Sequence, residues 1–93
     1  MDHSGDAQYE YQGRSWALPA AMVALQIKLE RANEACRAAV AADDAAALTA
    51  ARATRLELVM EKYRAARPWW DTFENYDRWR ADEALKLYAR TLL

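Results

Sequence analysis

Residues 18–39 hold the pattern that most limits what this chain can become. Leu18, Met22, Leu25, Leu29, Ala32, Cys36 and Ala39 recur at alternating spacings of four and three. A strand repeats every two residues, so only an α-helix gathers such a set on one side. The spacing is a heptad seam and predicts a helix whose apolar stripe is buried. Ser15 can serve as its N-cap; alternatively Pro19 takes the first helical position with the cap at Leu18. Cys36 falls within the stripe and reads as a small buried thiol without a base beside it.

Asp43-Asp44 interrupts the alanine run that follows. One aspartate can end the first helix and the other can cap the second. The second helix is expected from about residue 45 to residue 67, with Leu48, Leu56, Val59, Met60 and Tyr63 as its apolar face. Pro68 should stop it, because the residue before a proline is pushed out of the α region. A turn this short folds the two helices back as an antiparallel hairpin, with Ala39 opposite Leu48 and Cys36 opposite Ala51. Alanine near the turn lets the backbones approach closely. Larger side chains at the open end force the hairpin apart there, and something must fill the wedge.

The segment from Pro68 to Trp79 supplies it. This stretch holds three of the four tryptophans and opens a third helix, expected from about residue 73 to residue 92 after an Asp71 or Thr72 cap. Trp69, Trp70, Phe73, Tyr76, Ala84, Leu87 and Tyr88 share one broad face of it. Trp16, Trp69, Trp70 and Phe73 should cluster at the open end, with the third helix running back toward the turn. Residues 1–14 hold both glycines and the lone histidine, His3, and read as a flexible tail; residues 15–93 read as one helical domain. The expected class is therefore all-α: an alanine-rich helical hairpin plus an aromatic-rich third helix, a three-helix bundle that dimerises into a larger one.

Composition narrows the functional classes. The chain is 54% hydrophobic, yet its mean hydropathy is −0.42, because alanine supplies much of the apolar share. Core energy must come from few large side chains, at about 1.5–3 kcal/mol each when fully buried. At 93 residues that margin is thin, and oligomerisation is a common remedy. A net charge of −1 with interspersed signs lacks the basic stripe of a nucleic-acid binder. No apolar run reaches the roughly 20 residues that span a bilayer, and the acidic, polar start is no secretory signal. A single cysteine suits a reducing compartment, so a cytoplasmic location is expected. The wealth of alanine and arginine is what a GC-rich bacterial genome encodes.

Catalytic chemistry finds no support. Glu30 with Glu34 and Glu57 with Glu61 are spaced like bundle metal ligands, but such sites add a Glu-x-x-His element, and His3 lies in the tail. No base accompanies a nucleophile, and two glycines cannot build a phosphate loop. No metal, cofactor or enzymatic activity is expected. Residues 62–93 interleave Arg64, Arg67, Arg78, Arg80 and Arg90 with aromatics, as single-strand binders do. Asp71, Glu74, Asp77, Asp82 and Glu83 cancel most of that field.

Four apolar residues fall off the core faces: Val23, Ile27, Leu58 and Trp79. Several such residues on helices whose cores are already supplied suggest a second buried surface. Two cations sit where apolar residues are expected, Arg52 on the second helix and Arg80 on the third, and each can hold an anion. The expected function is a non-catalytic protein–protein interaction module, an adaptor or accessory subunit, with Val23, Ile27, Leu58 and Trp79 as partner-binding residues. A nucleic-acid-binding regulator is the first alternative, and an anion pocket or small enzyme around Arg52 is the second.

Overall fold

The computed structural model describes residues 6–93. It is predominantly helical with a two-stranded sheet in front: β1 (Ala7–Tyr11), β2 (Arg14–Leu18), α1 (Ala20–Ala41), α2 (Ala45–Trp70) and α3 (Asn75–Thr91). The β-hairpin corrects the all-α expectation, and it replaces both the tail over residues 7–14 and the helix start at Ser15. Residues 1–5 of that expected tail, His3 among them, lie outside the described residues.

The hairpin forms because two short alternating segments meet across a tight turn. Tyr9 faces Trp16 and Ala7 faces Leu18, so the large apolar residues share one face, while Gln8, Glu10, Ser15 and Ala17 share the other. Gln12 and Gly13 both have left-handed φ values, 51° and 75°. That is the two-residue turn whose twist matches antiparallel strands. Pro19 then sets the chain for α1, which it caps in an extended conformation (ψ 134°).

The α1–α2 hairpin follows the sequence closely. Asp43 takes a left-handed φ of 53°. Asp44 N–H donates to Ala39 O at 3.0 Å and Asp43 N–H to Val40 O at 3.1 Å. These are the paired bonds of a Schellman ending. The Asp44 carboxylate then accepts from Ala47 N–H at 3.0 Å and caps α2. The seam residues Met22, Leu29, Ala32, Cys36 and Ala39 are buried.

Past Pro68 the helix continues to Trp70, three residues beyond the expected stop. Proline here forgoes the bond its missing N–H would have made to Arg64 O and crowds that carbonyl with its ring, and only two helical residues follow it. The end is closed instead by Asp71 N–H to Arg67 O at 2.9 Å and by Thr72 Oγ1 donating to Trp69 O at 2.6 Å. Residues 71–74 turn the chain, and α3 starts at Asn75 rather than Phe73, after Glu74. Neither Asp71 nor Thr72 caps it.

α3 starts beside the open end and lies along α1. Arg90 near its end reaches Glu30 of α1 at 3.5 Å, and Asp82 meets Lys62 of α2 at 2.8 Å. The core is built from Trp16, Leu18, Met22, Val23, Ala66, Ala81, Ala84 and Leu85. Three of these are alanines with no exposed surface, so the backbones close around one large wedge, Trp16. Its ring packs edge-on against Phe73 at 5.6 Å, and Phe73 packs on Trp69 at 5.8 Å. The expected aromatic plug is therefore present in part. Trp70 packs against the same core, but its ring meets Tyr63, at 5.3 Å, rather than the other three.

The expected apolar face of α2 is largely not a core face. Leu56, Met60 and Tyr63 are exposed, and the residues α2 buries are Lys62 and Ala66. The reason is where α3 sits. It covers the other side of the hairpin, so α1 is enclosed by α2 and α3 while α2 keeps one flank bare. The same placement buries Val23, which was expected to face outward.

Candidate interaction surface

The flank left bare by α3 is a continuous helical stripe. Arg52, Leu56, Val59 and Tyr63 follow one another at spacings of four, three and four, with Met60 beside them. Leu56 is 60% exposed, Met60 53% and Tyr63 59%; across the hairpin, Val40 of α1 is 63% exposed. Helical neighbours at three and four residues merge into one surface, so these side chains form a ridge along α2 rather than scattered apolar points.

Toward the turn, the ridge borders a groove between α1 and α2 of about 400 Å³. Val40 and Leu48 line it, Cys36 forms part of its buried floor, and Arg37, Arg52 and Arg55 stand around it. Arg37 is held by Glu34 through contacts of 2.6 and 3.1 Å. Arg52 and Arg55 make no hydrogen bond or ion pair among the described residues, and no carboxylate lines the groove. The stripe is thus apolar along its length and cationic at its edge. Cys36 has arginines for neighbours, where the sequence reading left it without cations.

The four expected partner-binding residues do not come together. Val23 is 8% exposed and sits in the core between α1 and α3. Ile27 is half-buried against that core, and Leu58 is half-buried on α2. Trp79 alone is well exposed, at 57%, next to Tyr76 on the outer side of α3. The two anion candidates also part. Arg52 stands at the groove, whereas Arg80 is a strut: it donates to Gln12 O at 3.2 Å, pairs with Asp77 at 3.6 Å and lies 5.4 Å from the Trp16 ring.

The other C-terminal arginines are mostly engaged as well. Arg78 donates to Phe73 O at 2.8 Å and approaches Asp71 at 3.7 Å, and Arg90 pairs with Glu30. That leaves little free cationic surface beside the tryptophans. Glu30 is buried between Gln26, which donates to it at 2.9 Å, and Arg90, so it is tied into the bundle and apart from the exposed Glu57.

Sequence reasoning missed Leu56, Met60, Tyr63, Val40 and Arg55 as surface residues. One signal was present. An unpaired arginine in the middle of an apolar stripe, Arg52, is costly if the stripe is buried and ordinary if it faces water. Among the described residues no helix is long and apolar enough to cross a membrane. Comparison of the chain with protein-family models, curated proteins and solved structures finds no match.

Proposed function

We propose that this chain is a non-catalytic protein-interaction module, an adaptor or accessory subunit, whose docking face is the bare flank of the α1–α2 hairpin. The observation that carries the reading is the exposed ridge of Leu56, Met60 and Tyr63 along α2, with the groove where Val40 is exposed continuing it toward the turn. A helical ridge with a groove beside it suits a partner helix laid along it, the common mode of helix-in-groove recognition. The unpaired Arg52 and Arg55 favour carboxylates on that partner. A second copy is the other occupant, giving the two-fold bundle anticipated from chain size. Two arginine-edged stripes repel each other, so an acidic partner helix is the stronger choice.

Light scattering combined with affinity capture from the native cell tests this. Leu56→Asp and Met60→Asp sit on the surface and should keep the wild-type melting temperature. Both should lose the captured partner, by at least about tenfold in affinity if either is a central anchor. Trp79→Ala on the opposite side should capture it normally. Unchanged capture by both ridge variants ends the proposal, and a concentration-dependent dimer lost in those variants assigns the ridge to self-association.

A smaller ligand is the second reading, favoured by the groove itself: Arg37, Arg52 and Arg55 around one 400 Å³ space can hold a small polyanion. Thermal-shift screening of wild type against Arg52→Ala separates the two, since only a groove ligand raises the wild-type melting temperature selectively.

A further inference from the structure

We propose that the free edge of β2 is a second binding site, one that takes an extended peptide segment free of acidic side chains as an added strand with a bulky apolar side chain. It is distinct in place and in recognition chemistry from the helical ridge on α2.

The turn determines which backbone groups are free. In a two-residue hairpin the residues flanking the turn bond to each other, and bonded pairs then alternate along the ladder. The register pairs Tyr11 with Arg14, Tyr9 with Trp16 and Ala7 with Leu18, so these three exchange the inter-strand bonds. The N–H and C=O groups of Ser15 and Ala17 consequently point away from β1. Among the described residues the sheet has two strands, nothing pairs with them on the far side, and no hydrogen bond to either residue's backbone joins it from elsewhere. Natural edges are usually blunted by proline, lysine or a bulge. This one presents Ser15 and Ala17, both small and exposed.

Beside that edge lies a slot of about 470 Å³. Ser15, Ala17 and Pro19 form one side; Pro68, Trp69 and Phe73 form the other. Its walls decide the occupant. An added strand lies about 4.8 Å from its neighbour, so it would run within the slot that Ser15 and Ala17 line, beside Pro68, Trp69 and Phe73. Free donors and acceptors on alternate residues match an extended main chain and no simple apolar ligand. The proline and aromatic wall takes an apolar side chain from every second residue of such a strand. At the mouth Arg14 lies 4.1 Å from the Trp16 ring and pairs with Asp77 at 3.3 Å. With that cation already neutralised, an acidic peptide gains no ion pair at the mouth, and Asp6 at the slot disfavours it further.

The test uses the full chain and a panel of capped five-residue peptides, Val and Thr around a central Trp, Phe, Leu or Ala. Amide resonances of Ser15 and Ala17 should shift on titration, while those of Leu56 and Tyr63 stay in place. Trp-, Phe- or Leu-centred peptides should bind about tenfold tighter than the Ala-centred one, through the apolar area buried in the slot. N-methylating the peptide amide that faces the edge should weaken binding by about tenfold, the loss of one main-chain bond with its partner left unpaired; this arm needs no protein variant. Trp69→Ala should weaken binding too, whereas Leu56→Asp should not, so failure here leaves the ridge reading standing and the reverse holds as well. Equal affinity for methylated and unmethylated peptides, shifts confined to α2, or no binding by any peptide overturns the proposal. So does a concentration-dependent dimer abolished by Ala17→Pro.

Discussion

Lys62 is a lysine buried on α2, and its stability depends on one partner. Its ammonium lies 2.8 Å from Asp82, and only 7% of its side chain is exposed. Desolvating an ammonium is repaid only when a counter-charge stays in place. Asp82→Ala should therefore cost about 3 kcal/mol, since it strands the buried charge, and urea denaturation should show it. Lys62→Met with Asp82→Leu should recover most of that loss, because the space is then apolar throughout. Lys86 completes the cluster at 3.2 Å from Asp82 and 3.5 Å from Glu83. Burial by itself lowers the Lys86 ammonium, but the two carboxylates outweigh it and raise its pKa above the ordinary 10.5. A raised lysine stabilises the fold fully below its unfolded value, and that share is lost as pH climbs through the folded one. The melting-temperature gap between wild type and Lys86→Met should hold from neutral pH to about 10 and narrow above it.

Among the elements, the two hairpins differ in how plainly the sequence announces them. Asp43-Asp44 states its roles by chemistry: one residue tolerates the left-handed region and the other caps, and both did so in the expected place. Gln12-Gly13 makes an equally tight turn with a weaker signature, because glutamine has no special tolerance of positive φ, unlike the Asn or Asp usual there. Trp16 and Leu18 also continue the apolar content of α1, which drew the expected helix back to Ser15 and hid a five-residue strand. The turn's strain is testable without steric confusion. A Cβ at Gly13 meets no atom within 4 Å, so Gly13→Ala should lower stability by about 1 kcal/mol through backbone strain alone. Gln12→Asn should do the opposite by a few tenths of that, and thermal melts of both variants check the sign.

For the whole molecule, the helical hairpin was legible because heptad spacing and the Asp43-Asp44 turn speak locally, and the aromatic plug was legible in part, whereas α2 runs three residues past the stop assigned to Pro68. Which flank of the hairpin α3 would cover was not. Leu56, Met60 and Tyr63 look like core residues by type, and Lys62 looks like a surface one; the structure reverses them. Periodicity identifies an apolar stripe but not its partner, and here α3 uses Ala81, Ala84 and Leu85 to close on α1 instead. The candidate surface was legible only through Arg52, and the β2 edge not at all, since strand edges exist only once a sheet does.

Trp16 also imposes an order on assembly. The α1–α2 hairpin closes through neighbours joined by a short turn, and such local contacts form fastest. The strands reach their anchors only late: Arg80 and Gln12, which it holds, are 68 positions apart. Loop closure must come before that contact can contribute. A nascent chain ending before Asn75 would thus carry a finished helical hairpin while Trp16 and Leu18 lack most of their cover. α3 is the segment whose arrival turns an adhesive intermediate into a closed protein, so exposure to misassociation ends only once residues 75–91 have been made.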